Sequence, residues 1–130
     1  MKSSYHWIIV GAVFAFCAVG IGAFAAHGLK NILTEYQLGI VDTAAKYQMY
    51  HALAILLSVS LLKSDVRAVN VVNSCFSAGV FLFSGSLYAL ALSGIKTFAY
   101  FTPIGGLLFL IAWLAFILFA YQLSQKEKQS

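Results

Sequence analysis

Tyr47, Tyr50 and His51 lie within about one helical turn in KYQMYHALAILLSVSLLK, residues 46–63. A histidine can relay protons near neutral pH, ligate a metal or haem, or contact a quinone. A tyrosine hydroxyl beside it can extend such a site. His27, Ser84 and Tyr88 are the other side chains placed to join it, so His27, Tyr47, Tyr50, His51, Ser84 and Tyr88 form the candidate polar cluster. Which chemistry is open to them depends on their solvent.

That solvent is lipid. Of 130 residues, 62% are hydrophobic and only 9% are charged, with a mean hydropathy of +0.89. A soluble domain of this size would lack the charges needed to cover its surface. The net charge of +4 comes from basic residues scattered singly, which excludes a nucleic-acid footprint and fits markers of span ends. Cys17 and Cys75 each sit in a long apolar run and read as small buried hydrophobes, not as a disulfide.

Walking from charge to charge gives four spans, at about 5–26, 43–62, 68–92 and 103–123, in one all-α, membrane-embedded four-helix bundle forming a single domain. The first apolar body, Tyr5 to Ala26, extends roughly 33 Å as a helix, enough for a hydrocarbon core of about 30 Å. A signal peptide is the lesser reading, because the run exceeds a usual h-region and three more spans follow. The second span is short between Lys46 and Lys63, so it reaches back to Thr43 and Lys46 snorkels outward. Thr34 and Gln37 have capping-box spacing, Asp42 and Lys46 form an i,i+4 pair, and residues 35–45 read as an amphipathic lead-in at the outer interface. Gly28 and Gly94 are placed to end helices in the left-handed conformation, and Thr102-Pro103 reads as an N-cap and first turn. With both termini cytoplasmic, the inner side holds five of the eight Lys and Arg residues and the outer side three, which sets the orientation.

The helix faces assign partners. Gly11, Ala15, Ala18, Gly22 and Ala26 make a continuous small face on the first span, the kind that admits another helix closely. On the third span Phe76, Val80, Phe83, Leu87 and Leu90 form a bulky stripe expected to meet lipid. Asn70, Asn73, Ser74, Ser77, Ser84 and Tyr88 face the bundle as interhelical hydrogen-bonding glue.

Depth then limits the chemistry of the histidines. His51 lies roughly 18 Å above the inner boundary, and His27 some 15 Å higher on a straight-helix model, so one haem held by both is excluded. Zinc would require three or four ligands, and neither histidine has a carboxylate or thiol beside it in sequence. No phosphate loop, CxxC or nucleophile–base spacing is present, so no catalytic residue, metal or cofactor is predicted.

GAFAAHGLK (22–30), YQMYHALA (47–54), FSGSLYALAL (83–92) and TPIGGLLFLIAW (102–113) together resemble a family of small bacterial inner-membrane proteins catalogued as domain of unknown function 423, related to the transmembrane protein 256 family. The resemblance covers nearly the whole chain and implies a multi-pass protein of four helices in the bacterial inner membrane. It implies no reaction. The family pattern more often has Gly where Ala25 stands and Gly where Ala112 stands, both small-for-small changes. Its recurring histidines fall on His27 and His51.

Three functions are consistent with these residues. The first is a non-enzymatic bundle in the lipid bilayer that assembles with itself or serves as an accessory subunit of a larger membrane complex. The second is a small-solute or proton transporter or channel, and the third a haem- or quinone-binding protein.

Overall fold

The uninterrupted apolar runs fold as long helices. The computed structural model describes residues 2–130, with side chains from Ser4 onward. Its elements are α1 (Lys2–His27), α2 (Glu35–Leu61), α3 (Val66–Ser93), a short 3-10 turn (Lys96–Tyr100) and α4 (Thr102–Gln129). Successive helices pack antiparallel, so both termini lie at one end. Gly11 of α1 meets Ala52 and Leu56 of α2, Ala44 of α2 meets Ser84 of α3, and Phe83 of α3 meets Gly105 and Phe109 of α4.

The helices pack in chain order, α1 on α2, α2 on α3 and α3 on α4, so that α2 and α3 lie between α1 and α4, while α1–α3 and α2–α4 meet only at a few points. Phe14 stacks edge-on to Phe81, joining α1 to α3, and His51 stacks on Phe109, joining α2 to α4. Among the described residues, α1 and α4 make no contact.

This placement corrects the reading of α3. Phe76 and Val80 do not face lipid; Phe76 is 0% exposed and Val80 is buried, both within the main core. Ser74, assigned to the bundle side, is exposed. A helix packed against three others buries its bulky and polar stripes together, whereas the two-face argument assumed one buried side.

Among the described residues, three helical stretches are long and apolar enough to cross a membrane: Ser4–His27, Val66–Ser93 and Lys96–Gln129. α2 falls short because its outer half carries Asp42, Lys46, Gln48 and His51. It still runs the thickness of the bundle. Val41 packs with Ala25 and Ala91 near one end, and Leu62 joins Val69 and Ala68 at the other.

The ends follow the sequence in part. Thr34 and Gln37 make both bonds of the capping box, at 3.2 and 2.8 Å, and the amphipathic lead-in is the continuous first part of α2. Gly94 ends α3 at φ 70°. Gly28 does not adopt positive φ; it is small because an added Cβ would strike the Phe24 ring. Thr102 caps nothing: it lies inside α4, and its Oγ1 is 2.5 Å from Ser86 Oγ. Cys17 is exposed on α1 rather than buried, and Cys75 is half-buried; both are free thiols.

Candidate polar site

The six candidate residues do not form one cluster. His51 is buried, at 4% exposure, against α4. Its ring lies parallel to Phe109 at 3.6 Å between centroids, with Phe76 at 5.6 Å. Its Nδ1–H donates to the Tyr47 carbonyl at 2.6 Å, and its Nε2 accepts from Trp113 Nε1–H at 3.2 Å. A carbonyl only accepts and an indole N–H only donates, so these two partners fix a neutral imidazole with its proton on Nδ1. Neither nitrogen keeps a free lone pair for a metal or haem iron.

Tyr47 and Tyr50 are exposed rather than interior, with rings 5.6 Å apart, and Tyr47 leans on Phe83 at 4.8 Å. Ser84 is buried and its Oγ donates to the Ala44 carbonyl at 2.8 Å, tying α3 to α2. Tyr88 lies on the opposite side of α2 from Trp113. Its hydroxyl donates to Gln48 Oε1 at 2.9 Å, and Gln48 Nε2 donates to the Phe14 carbonyl at 2.8 Å, so one relay of amide and phenol links α3, α2 and α1. His27 is exposed at the end of α1 and does not join His51.

The small face of α1 is placed unevenly. Gly11 and Ala18 are buried, Ala15 and Gly22 half-buried, and Ala26 exposed, with Ala25 taking the inward position. Gly11 is the tight point, because an added Cβ would press on Leu56 and the Ala52 carbonyl.

Gln48, Trp113 and Phe109 escaped the sequence reading, as did the close α3–α4 crossing at Gly79 and Gly105. The signal for Gln48 was available: an amide in an apolar span must find a partner. At Gly105 a Cβ would fall on the Phe83 backbone, and at Gly79 on the Phe109 ring. Two further bonds close the bundle, Trp7 Nε1–H to Asn70 Oδ1 at 2.8 Å and Ser58 Oγ–H to Asn73 Oδ1 at 2.6 Å. Among the described residues, the buried side-chain atoms without a partner are Asn73 Nδ2 and Ser77 Oγ, and no cluster of three or more potential metal ligands occurs.

Comparison with known proteins decides the family. The model for the protein of unknown function family DUF423 matches residues 21–106. The chain belongs to this family. It is 42% identical over 116 residues to UPF0382 membrane protein SAB0533 of Staphylococcus aureus (strain bovine RF122 / ET3-1), covering 89% of this chain and 95% of the relative. It is 42% identical over 115 residues to a UPF0382 membrane protein of Haemophilus influenzae, covering 88% and 91%. The UPF0382 inner membrane protein YgdD of Escherichia coli is 37% identical over 125 residues, 95% of each chain. No solved structure matches. With this family and these helices, the chain is a multi-pass protein of the bacterial inner membrane, and the names of these relatives carry no reaction.

Proposed function

We propose that the protein is a non-enzymatic membrane bundle that acts by assembling, with itself or as an accessory subunit of a larger complex. The observation that carries this reading is the state of its interior chemistry. Both nitrogens of His51 are engaged, Nδ1 by a carbonyl of its own helix and Nε2 by Trp113 of α4, and the hydroxyls of Tyr88 and Ser84 and the amide of Gln48 are engaged by neighbouring helices. Groups engaged in this way hold helices together at about 1 kcal/mol or less each, and would have to be released before they could react. Both termini face the cytoplasm in this reading, following the excess of basic residues at their end. Extraction in native lipid followed by mass measurement tests it. Oligomers or a stable partner are expected, and an isolated monomer under mild extraction contradicts it.

A second reading, conduction of protons or a small solute, is favoured by Asn73 Nδ2 and Ser77 Oγ, which are buried without partners in the middle of the bundle. Unpaired polar groups in hydrocarbon attract water. Flux into proteoliposomes that falls in Asn73→Leu supports it, and flux equal to that of empty liposomes ends it.

A further inference from the structure

We infer that the recess between α1 and α3 holds the acyl chain of an anionic phospholipid, whose phosphate is met by Arg67 at the end of the bundle that bears both termini. Monomer and oligomer would hold it alike, so it stands apart from the assembly reading. α1 and α3 are not neighbours in the packing order. They are tied by Trp7 Nε1–H to Asn70 Oδ1 at 2.8 Å, and by the edge of Phe14 on Phe81 at 5.5 Å between centroids. Between these ties lies a recess of about 330 Å³, lined in part by Trp7, Val10 and Val13 of α1 and by Ser77 and Phe81 of α3. A second recess continues it past Cys17 and Gly85, where an added Cβ would meet nothing.

Depth and mouth together name the occupant. Val13 and Phe81 are exposed on the rim, so hydrocarbon enters from the side. A lipid chain reaches about 15 Å into its leaflet, half of a core about 30 Å thick. About ten residues of helix cover that depth, from Trp7 to Cys17. Trp7 marks the mouth, because a half-buried, hydrogen-bonded indole near a span end belongs at headgroup level. Arg67 lies one turn nearer the termini on the same face as Asn70, exposed and, among the described residues, outside any ion pair. The carboxylate nearest to it in sequence, Asp65, accepts from the Ala68 N–H and shares a cleft with Leu123 and Lys126, toward α4. The side toward α1 is left with positive charge.

The hydrogen-bonding sense of the mouth agrees with its charge. Asn70 gives its Oδ1 to Trp7, which leaves its Nδ2 as a donor without a protein acceptor among the described residues. Arg67 adds a guanidinium, which only donates, and the His6 ring stands 4.5 Å from that of Trp7. A phosphate diester only accepts, and a guanidinium can hold two of its oxygens at once. A zwitterionic headgroup brings the same phosphate with an ammonium that Arg67 repels. An anionic headgroup brings no such opposition.

The test offers the whole chain, purified in detergent and stripped of lipid, equal amounts of phosphatidylglycerol and phosphatidylethanolamine. The lipid retained is read by native mass measurement. A preference of about fivefold for phosphatidylglycerol is expected, the contribution of one arginine beside an anionic surface. Arg67→Gln is expected to bring the two lipids to parity, while Lys126→Gln, on α4 at the same end, keeps the preference. Val13→Trp fills the recess and is expected to lower retention of both lipids severalfold. Arg67 and Val13 are exposed, and an unchanged unfolding transition in detergent reports that both variants fold. Equal retention by the unsubstituted chain, as for lipid that merely surrounds the protein, overturns the proposal, and so does a preference that survives Arg67→Gln. Retention indifferent to Val13→Trp overturns the recess as the seat of the chain. A preference abolished by excess glycerol phosphate, which has no chain, assigns the mouth to free phosphate and overturns the lipid.

Discussion

α2 turns two polar surfaces to its surroundings, and they are treated in opposite ways. On its buried side Gln48 and His51 reach three other helices through bonds of 2.8–3.2 Å. On its open side Asp42 and Lys46 pair with each other at 2.8 Å, in a segment whose neighbouring cleft also holds Lys30. A bilayer core offers no hydrogen bonds, so polar groups inside the bundle must be satisfied by the fold, while those toward the interface can meet water and headgroups. The buried surface accounts for how the helices hold together; the open surface leaves the fold largely indifferent to its side chains.

Four substitutions break or sharpen that comparison. The largest effect belongs to the crossing on which the bundle depends. Gly105→Val places a branched side chain against the Phe83 backbone, and the cost of at least about 3 kcal/mol should prevent α4 from docking, read as loss of the unfolding transition in detergent. Next, His51→Ala removes the ring stacked on Phe109 and takes the acceptor from the Trp113 N–H. A loss of about 2–3 kcal/mol is expected, with a shifted Trp113 emission. Gln48→Leu should cost about 1 kcal/mol, since the relay from Tyr88 to Phe14 fails while the volume is kept. Asp42→Lys is the smallest for the fold, within about 0.5 kcal/mol on an exposed site. An Asp42→Lys protein that unfolds as readily as His51→Ala would erase the distinction between the two sides of α2.

Much of the architecture was legible because it depends on local pattern. The apolar runs gave the helices, Thr34 with Gln37 gave a capping box, and Gly94 gave a helix end. What was not legible depends on which helix lies beside which. Phe76 and Val80 look lipid-facing on a wheel drawn for α3 alone, and become core once His51 and Trp113 enclose Phe76 and α1 and α2 close over Val80. Thr102 looks like a cap until Ser86 on the neighbouring helix takes its hydroxyl.

The polar site shows the same boundary. His51 could be singled out from the chain, but Trp113 and Phe109 are about sixty residues away and reach it only through the α3–α4 crossing. Tyr50, next to that histidine in sequence, points outward because one residue turns the helix by about 100°, whereas Tyr47, one turn before His51 on the same side, lies at the rim of the bundle with its ring against Phe83. Proximity in sequence grouped residues that the fold separates, and it left out the partners that the fold supplies.

The central claim is that His51 is a packing group with both nitrogens engaged. It is tested most directly by the nitrogen-15 chemical shifts of its imidazole, measured on labelled protein in lipid at neutral pH. A protonated Nδ1 with an unprotonated, hydrogen-bonded Nε2 is predicted, and the Nε2 signal should move when Trp113 is changed to Phe. A proton on Nε2, protons on both nitrogens, or no response to Trp113→Phe would contradict the account.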